Sequence, residues 1–488
     1  MIALDLKMYI DGHWQDAGSG DRIAVRNPAR TAEVVGSVPD GRAEDVDRAV
    51  AAAHRAQREW ARLPLADRAA HLKEAAAKLA SIDPSGPEAL TREMGKILAE
   101  SVMDFQAPPW AWSYYLDDLD GVEGLLTERL SDEAGGLEIR RRPVGVVGAI
   151  VPWNWPIALL GVKLGPALLA GNTVVAVPSP YAPLGVLKAI EAIGGVLPPG
   201  VVNVVTGLGE YVGAALAAHP DVAMVAFTGG ADAGRSVAQT LASDFRRGVF
   251  ELGGNDAAVL LDDVTVDDAL VRGLAAGFTM TSGQVCFAVK RLYVHESVFA
   301  DVVAGLGDVL QAAVVGDGLD PDVTMGPLAN ERQFKWFRGL LAEAEAAGAS
   351  VRSFGSPRDA ASWDQGFFHL PTLVTGVRPD ERIVTKEQFG PALPVIPFRT
   401  DEEAVAVANG TDYGLTASIW SADRSRAWEL AGRVDAGVVA VNKHGFASFD
   451  VRAPFGGVKS SGYGREMGRD GLLEFTWAQQ LNDRHLAQ

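Results

Sequence analysis

Between Pro143 and Leu261, apolar runs of strand length alternate with segments of helical period, and this alternation constrains the fold more than any other feature. Val144–Val151 is rich in β-branched residues, and Ile157–Leu169 is a helix candidate that stops at Gly171. Strand candidates Thr173–Val177, Val201–Val205 and Ala223–Phe227 follow, separated by helix candidates Leu184–Ile193, Val212–Ala218 and Ala233–Leu241. Strands that are apolar along their whole length, joined through helices, predict a parallel sheet covered on both faces. Such a sheet takes ligands beyond the carboxyl ends of its strands. A second α/β series has strand candidates Ala257–Leu261, Lys290–His295, Leu393–Pro397, Thr416–Trp420 and Val438–Val441. The expected fold class is therefore α/β, with a cofactor unit joined to a catalytic one.

The flanks are different in kind. Residues 8–40 carry short β-type segments around Asp11-Gly12 and Asn27-Pro28, and the pattern is helical from Ala43 to about Met103. Gly121–Arg142 reads as a protruding hairpin turning at Glu133-Ala134-Gly135-Gly136, and the tail Gly471–Leu481 as a strand pairing with such a hairpin from a neighbouring subunit. At 488 residues the chain is too long for one core. Its net charge of −18 and pI near 4.9 argue against nucleic acid and anionic membrane surfaces as partners. A single cysteine excludes an intramolecular disulfide and suits a reducing cytoplasm. The N-terminus lacks a signal-peptide layout, and the apolar region Pro143–Val162 is broken by Pro152, Asn154 and Pro156. The histidines show no ligand spacing, and no metal site is expected.

That one cysteine, Cys286, follows the break Ser282-Gly283-Gln284. A lone cysteine is by default a small buried hydrophobe, but a turn that exposes nearby amides favours a nucleophile. Glu251 ends an apolar run and opens onto Gly253-Gly254. It is either a solvated strand end or a desolvated carboxylate poised as a base. Asn154, between Trp153 and Trp155, shapes a turn or donates to a developing oxyanion. Two glycine turns, Gly207-Leu208-Gly209 running to Gly213, and Phe227-Thr228-Gly229-Gly230, join strands to helices. Either alone is as consistent with tight packing as with a phosphate site; two in succession favour a dinucleotide.

Taken in order, Pro152-Trp153-Asn154-Trp155-Pro156, Phe227-Thr228-Gly229, Glu251-Leu252-Gly253-Gly254, Gly283-Gln284-Val285-Cys286, Glu387-Gln388-Phe389-Gly390-Pro391 and Pro454-Phe455-Gly456-Gly457 resemble the NAD(P)-dependent aldehyde dehydrogenases. The resemblance implies a Rossmann-type cofactor domain (1–120 and 143–252), an α/β catalytic domain (253–468) and a β-hairpin oligomerisation element (121–142 and 469–488) of a homodimer or homotetramer. It implies Cys286 as the nucleophile, with the Asn154 amide and the Cys286 N–H as oxyanion hole, Glu251 as base for deacylation and Lys163 on a proton path. A glutamate at 251 favours hydrolysis over acyl transfer to coenzyme A. Cofactor contacts are expected from Pro152, Trp153, Gly207, Gly209, Gly213, Phe227, Thr228, Gly229, Gly230, Leu252, Glu387 and Phe389.

The chain departs from that pattern where the family holds the adenosine ribose. Lysine is replaced by Val177, glutamate by Pro180, and the serine after Phe-Thr-Gly by Gly230. Each lost ribose hydrogen bond removes about 1–3 kcal/mol unless replaced. NAD is slightly favoured over NADP. Trp155, Leu159, Val162, Val285, Phe287 and Phe455 are the expected substrate contacts, and their apolar character points to a hydrophobic or aromatic aldehyde. The rivals are a dinucleotide-independent thiol esterase or thioesterase, and a non-catalytic binding protein on the same scaffold.

Overall fold

The computed structural model describes residues 3–130 and 135–484. Five parallel strands form the middle of the first sheet: Arg247–Glu251, Val222–Thr228, Val146–Val151, Thr173–Pro178 and Val202–Val204, in that spatial order. Antiparallel strands close it, with Gly462–Tyr463 beside Arg247–Glu251, and Met8–Ile10 then His13–Gln15 beside Val202–Val204. The chain runs outward from Val146–Val151 to one edge and then resumes on its other side at Val222–Thr228. A ligand crevice opens where the strand order reverses in this way.

Every residue of Thr173–Pro178 is buried, as two covered faces require. Successive side chains of a strand point to opposite faces, and here they enter two different cores. Val174 and Ala176 pack with the helices Pro156–Leu169 and Pro183–Ile193, whereas Val175 and Val177 pack with Ala43–Trp60 and Ala231–Ala242. Pro156–Leu169 ends at Gly171, whose φ of 96° lets Gly171 and Asn172 return their N–H groups to Leu168 and Ala167.

The second sheet runs Ser350–Ser353, Thr372–Thr375, Ala392–Phe398, Val289–His295, Asp256–Leu260, Thr416–Trp420, Val438–Val441. It is parallel except for Ser350–Ser353. Thr372–Thr375 and Ser350–Ser353 were not expected; both are short, and Ser350–Ser353 is mostly exposed and polar.

The structure corrects the hairpin region. Gly121–Leu126 lies in the helix Leu119–Leu126, and the strands are Thr127–Arg129 and Leu137–Pro143. Glu133 and Ala134 of the expected turn lie outside the described residues. The tail strand begins later than expected, at Thr476, and pairs Thr476–Asn482 with Leu137–Pro143 of its own chain rather than a neighbour's. The stretch Val212–Ala218 also differs, because Gly209–Gly213 takes a wider π-type turn before the α-helix Ala214–Ala218. Gly462–Tyr463 joins the first sheet although it lies in the 253–468 stretch, so that stretch contributes to both sheets.

Candidate active site

The helix Asp268–Thr279 ends just before Cys286, and the connecting backbone is strained. Thr281, Ser282 and Gly283 have φ of 51°, 57° and 73°. A non-glycine residue in the left-handed region costs about 1–3 kcal/mol, so something must hold these two. The Glu100 carboxylate accepts the Thr281 N–H at 2.7 Å, the Trp155 indole donates to the Thr281 hydroxyl at 3.1 Å, and the Ser282 hydroxyl donates to the Gly326 carbonyl at 2.8 Å. A Cβ on Gly283 would sit 2.3 Å from the Gly390 carbonyl, so only glycine fits. The loop delivers Cys286 half-buried.

Asn154 occupies the turn after Val146–Val151, at the switch point of the first sheet, and is 4% exposed. Its side-chain amide donates to the Gln284 carbonyl at 2.9 Å, the single bond it makes among the described residues. The second amide hydrogen is left for a ligand. Its own carbonyl accepts from Lys96 at 3.0 Å. Lys96 pairs with Asp104 at 2.7 Å, both fully buried, and its ammonium lies 4.0 Å from the Trp155 ring centroid. Asp104 in turn accepts the Ala158 N–H at 2.6 Å in the first turn of Pro156–Leu169. Sequence reasoning missed Lys96, Glu100 and Asp104. Their helical spacing resembles an ordinary solvated face, and only tertiary contacts bury Lys96 and Asp104 and partly cover Glu100.

Glu251 ends its strand opposite Thr228 on one side and Gly462 on the other. It is 3% exposed, and neither carboxylate oxygen has a partner among the described residues. Burial, and then the nearby Glu466 charge, push its carboxyl well above the ordinary range, with Lys163 and Arg465 pulling back. Lys163 donates to the Thr228 hydroxyl at 2.6 Å and to Glu466. Glu466 was not anticipated.

Burial pushes the Cys286 thiol up to about 12, with Lys290 lowering it and Glu387, Asp256 and Glu251 adding to the rise. Lys290, also unanticipated, donates to the Cys286 carbonyl and pairs with Glu387 at 3.1 Å. Glu387 accepts the Gly254 N–H at 3.2 Å. Phe389, at φ 48°, meets Trp153 edge-on at 5.4 Å, with Pro152 beside it at the end of the strand.

The glycine turns divide into two kinds. A Cβ on Gly207 would lie 2.8 Å from Val212, and one on Gly229 2.8 Å from the Phe227 ring, so these glycines serve packing. A Cβ on Gly209 or Gly230 would meet nothing within 4 Å, and these faces are open to a ligand. Gly230 immediately precedes Ala231–Ala242, whose first amides are free for an anionic group. Gly213 lies within the turn, where a Cβ would come 3.9 Å from Ile150. Phe227 is 5% exposed, its ring set in the core against Phe250 at 6.0 Å, and Leu252 packs on Gly234. Val177 is buried in the core and Pro180 follows it, so neither offers a charge to a ribose. The open glycines, the free helix amides and the Glu387 carboxylate fit a dinucleotide along the carboxyl edge of the sheet.

Beside Cys286 lies an aromatic cluster. Phe287 is 4.6 Å from Phe449, 5.0 Å from Phe446 and 6.3 Å from Phe455, and Trp155 is 4.9 Å from Phe446. Val162 packs with Cys286, Phe287 and Phe455, while Leu159 and Val285 pack with Trp155 and Phe287. Phe446 and Phe449 escaped the sequence reading because they stand in and just after the 3-10 turn Gly445–Ser448, too short to show a period.

The sequence profile of the aldehyde dehydrogenase family matches residues 14–481. The chain belongs to the aldehyde dehydrogenase family. This dehydrogenase is 37% identical over 489 residues to the phenylacetaldehyde dehydrogenase of Pseudomonas fluorescens, covering 98% of this chain and 96% of that protein. It is 34% identical to the chloroplastic betaine aldehyde dehydrogenase of Beta vulgaris, covering 97% and 95%. A crystal structure of a point mutant of Staphylococcus aureus betaine aldehyde dehydrogenase in complex with NAD+ superposes with a TM-score of 0.93 at 30% identity, covering 99% and 98%.

Proposed function

We propose that this dehydrogenase oxidises a hydrophobic, preferably aromatic, aldehyde to its carboxylic acid with NAD+ or NADP+, through a thioester on Cys286. The observation that carries the reading is Glu251, a buried carboxylate with two unpartnered oxygens and a raised pKa. A group of that kind activates water.

Cys286 releases its thiol proton to solvent and attacks the aldehyde carbon as thiolate, and the carbonyl oxygen becomes an oxyanion facing the free amide hydrogen of Asn154 and the Cys286 N–H. Preorganised donors of this kind stabilise the charge as it develops. The nicotinamide, when bound, supplies a hydride acceptor. Glu387 and Phe389 would orient that end of the dinucleotide; Gly209, Gly230 and the amides opening Ala231–Ala242 would face its phosphates. NAD+ is slightly favoured, in keeping with the Staphylococcus aureus relative that carries it. Glu251 then takes a proton from water that attacks the thioester, and Lys163 with Glu466 offers the proton a route away.

The aromatic cluster supports an aryl aldehyde, and the phenylacetaldehyde relative is in keeping with it. The first sheet serves as cofactor domain and the second as catalytic domain. The sheet Thr127–Arg129, Leu137–Pro143, Thr476–Asn482 leaves edges and an exposed Trp477 for a homo-oligomer. Among the described residues no helix is long and apolar enough to cross a membrane, and a single free cysteine is in keeping with a cytoplasmic setting. The test is reduced-nicotinamide formation across an aldehyde panel. Aryl aldehydes should turn over best and Cys286→Ala should abolish the signal; retained oxidation in that variant overturns the reading.

A further inference from the structure

Lys290 is 2% exposed and is the second residue of the strand Val289–His295, four residues after the nucleophile. Its ammonium reaches back to the Cys286 carbonyl and forward to Glu387 at 3.1 Å, with the Phe389 ring centroid 5.9 Å away. The opposite wall of the Cys286 carbonyl is Gly254, where a Cβ would come within 2.4 Å of that oxygen. Gly254 also donates its N–H to the same Glu387 oxygen that Lys290 holds, at 3.2 Å. Gly254, Glu387, Lys290 and Cys286 thus form a closed ring of contacts. The Gln388 amide fixes its outer side by donating to the Lys290 carbonyl at 3.2 Å.

We propose that Lys290 is a positioning residue that clamps the main chain of Cys286 to the carboxylate of Glu387, so that the thiol and the dinucleotide-facing acid are held as one unit. The inference rests on Cys286 as nucleophile and Glu387 as a dinucleotide contact. Fixing the Cys286 carbonyl fixes the ψ of that residue, and with it the direction of the Cα–Cβ bond that carries the sulfur. Three donors on one ammonium suit this task, because two can be committed without losing the charge.

The clamp has an electrostatic consequence. The ionisable groups around Lys290 are Cys286, Glu387, Asp256 and His444, and Glu251 acts on the thiol from the first sheet. Three of these are acids that oppose a thiolate, and Lys290 is the cation that opposes them. His444 does not help, since burial lowers its pKa to about 4 while it bonds the Ser418 hydroxyl and the Phe287 carbonyl.

The experiment is the pH dependence of Cys286 alkylation by iodoacetamide, followed by peptide mass spectrometry in wild type, Lys290→Met, Lys290→Arg and Glu387→Gln. Only the thiolate reacts. Lys290→Met should move the alkylation midpoint up by about one pH unit, slowing reaction below the midpoint roughly tenfold. Lys290→Arg should restore most of the rate by keeping the charge. Glu387→Gln should move the midpoint down, and it keeps the test alive if Lys290→Met fails to fold. Lys290→Met should also raise the KM for NAD+, because Glu387 left without its cation takes up a proton. A merely structural lysine would lower the melting temperature and leave the midpoint in place. Unchanged midpoints in Lys290→Met or in Glu387→Gln overturn the proposal while leaving the nucleophile reading intact. A wild-type Cys286 inert at every pH overturns both.

Discussion

Two charge clusters flank the candidate site, one beneath Asn154 and one around Glu251, and they are built on opposite principles. Beneath Asn154, Glu93, Lys96, Glu100 and Asp104 use their polar atoms on one another and on the backbone. Glu93 accepts the Leu184 and Gly185 N–H groups at 2.7 Å each, Asp104 accepts from Lys96 and Ala158, and Glu100 accepts from Thr281. With one cation among three acids, the cluster is neutral only if it holds protons, and burial accordingly raises Glu93 to about 8. Around Glu251, Lys163 and Glu466 satisfy each other and leave Glu251 with nothing. A fully bonded network fixes geometry, whereas an orphaned buried carboxylate is ready for a water molecule. The first cluster holds Asn154 and the strained loop still; the second, in the proposed mechanism, does the chemistry.

That contrast sets the order of expected effects. Glu251→Gln keeps the shape and removes the base, so steady-state turnover should fall about 10²–10⁴-fold with little change in melting temperature. Lys96→Met should show the reverse emphasis. It leaves Asp104 buried without its cation, and chemical denaturation should show a loss of about 3–5 kcal/mol. If Lys96→Met spares stability, the distinction between the clusters breaks. Asn154→Ala should lower kcat about 10²–10³-fold, the usual worth of one oxyanion donor.

The pH profile sharpens the same comparison. As the proposed base Glu251 would work only when unprotonated, and its pKa is raised, so deacylation should rise with pH through a midpoint above the ordinary carboxylate range. Lys163→Met removes a cation that pulls that pKa down and should move the midpoint higher still. Smallest is Phe449→Ala. It removes an edge-on contact with Phe287, and kcat/KM for an aryl aldehyde should fall about 2–12-fold relative to an aliphatic one, for an aromatic pair worth about 0.5–1.5 kcal/mol.

Most of this architecture could be read from the strands. Thr416–Trp420 and Val438–Val441 have the bounds read from the sequence, because β-branched and apolar residues dominate both runs. The tail could not be placed that way: strand character in Gly471–Leu481 says nothing about which chain it joins, and here it joins its own. In the site, Cys286 and Glu251 stood out by being isolated. Lys96, Lys290 and Glu466 did not, since a charge among other charges looks solvated until a distant segment covers it. Lys290 and Glu387 are nearly a hundred residues apart, and no local pattern links them.

The most direct measurement is the intact mass of Glu251→Gln after brief exposure to an aryl aldehyde and NAD+. A stalled thioester should add the acyl mass to Cys286 and discharge slowly with hydroxylamine-sensitive loss. An unmodified protein that nonetheless releases acid at the wild-type rate, or an acyl group found on any other residue, would contradict the account.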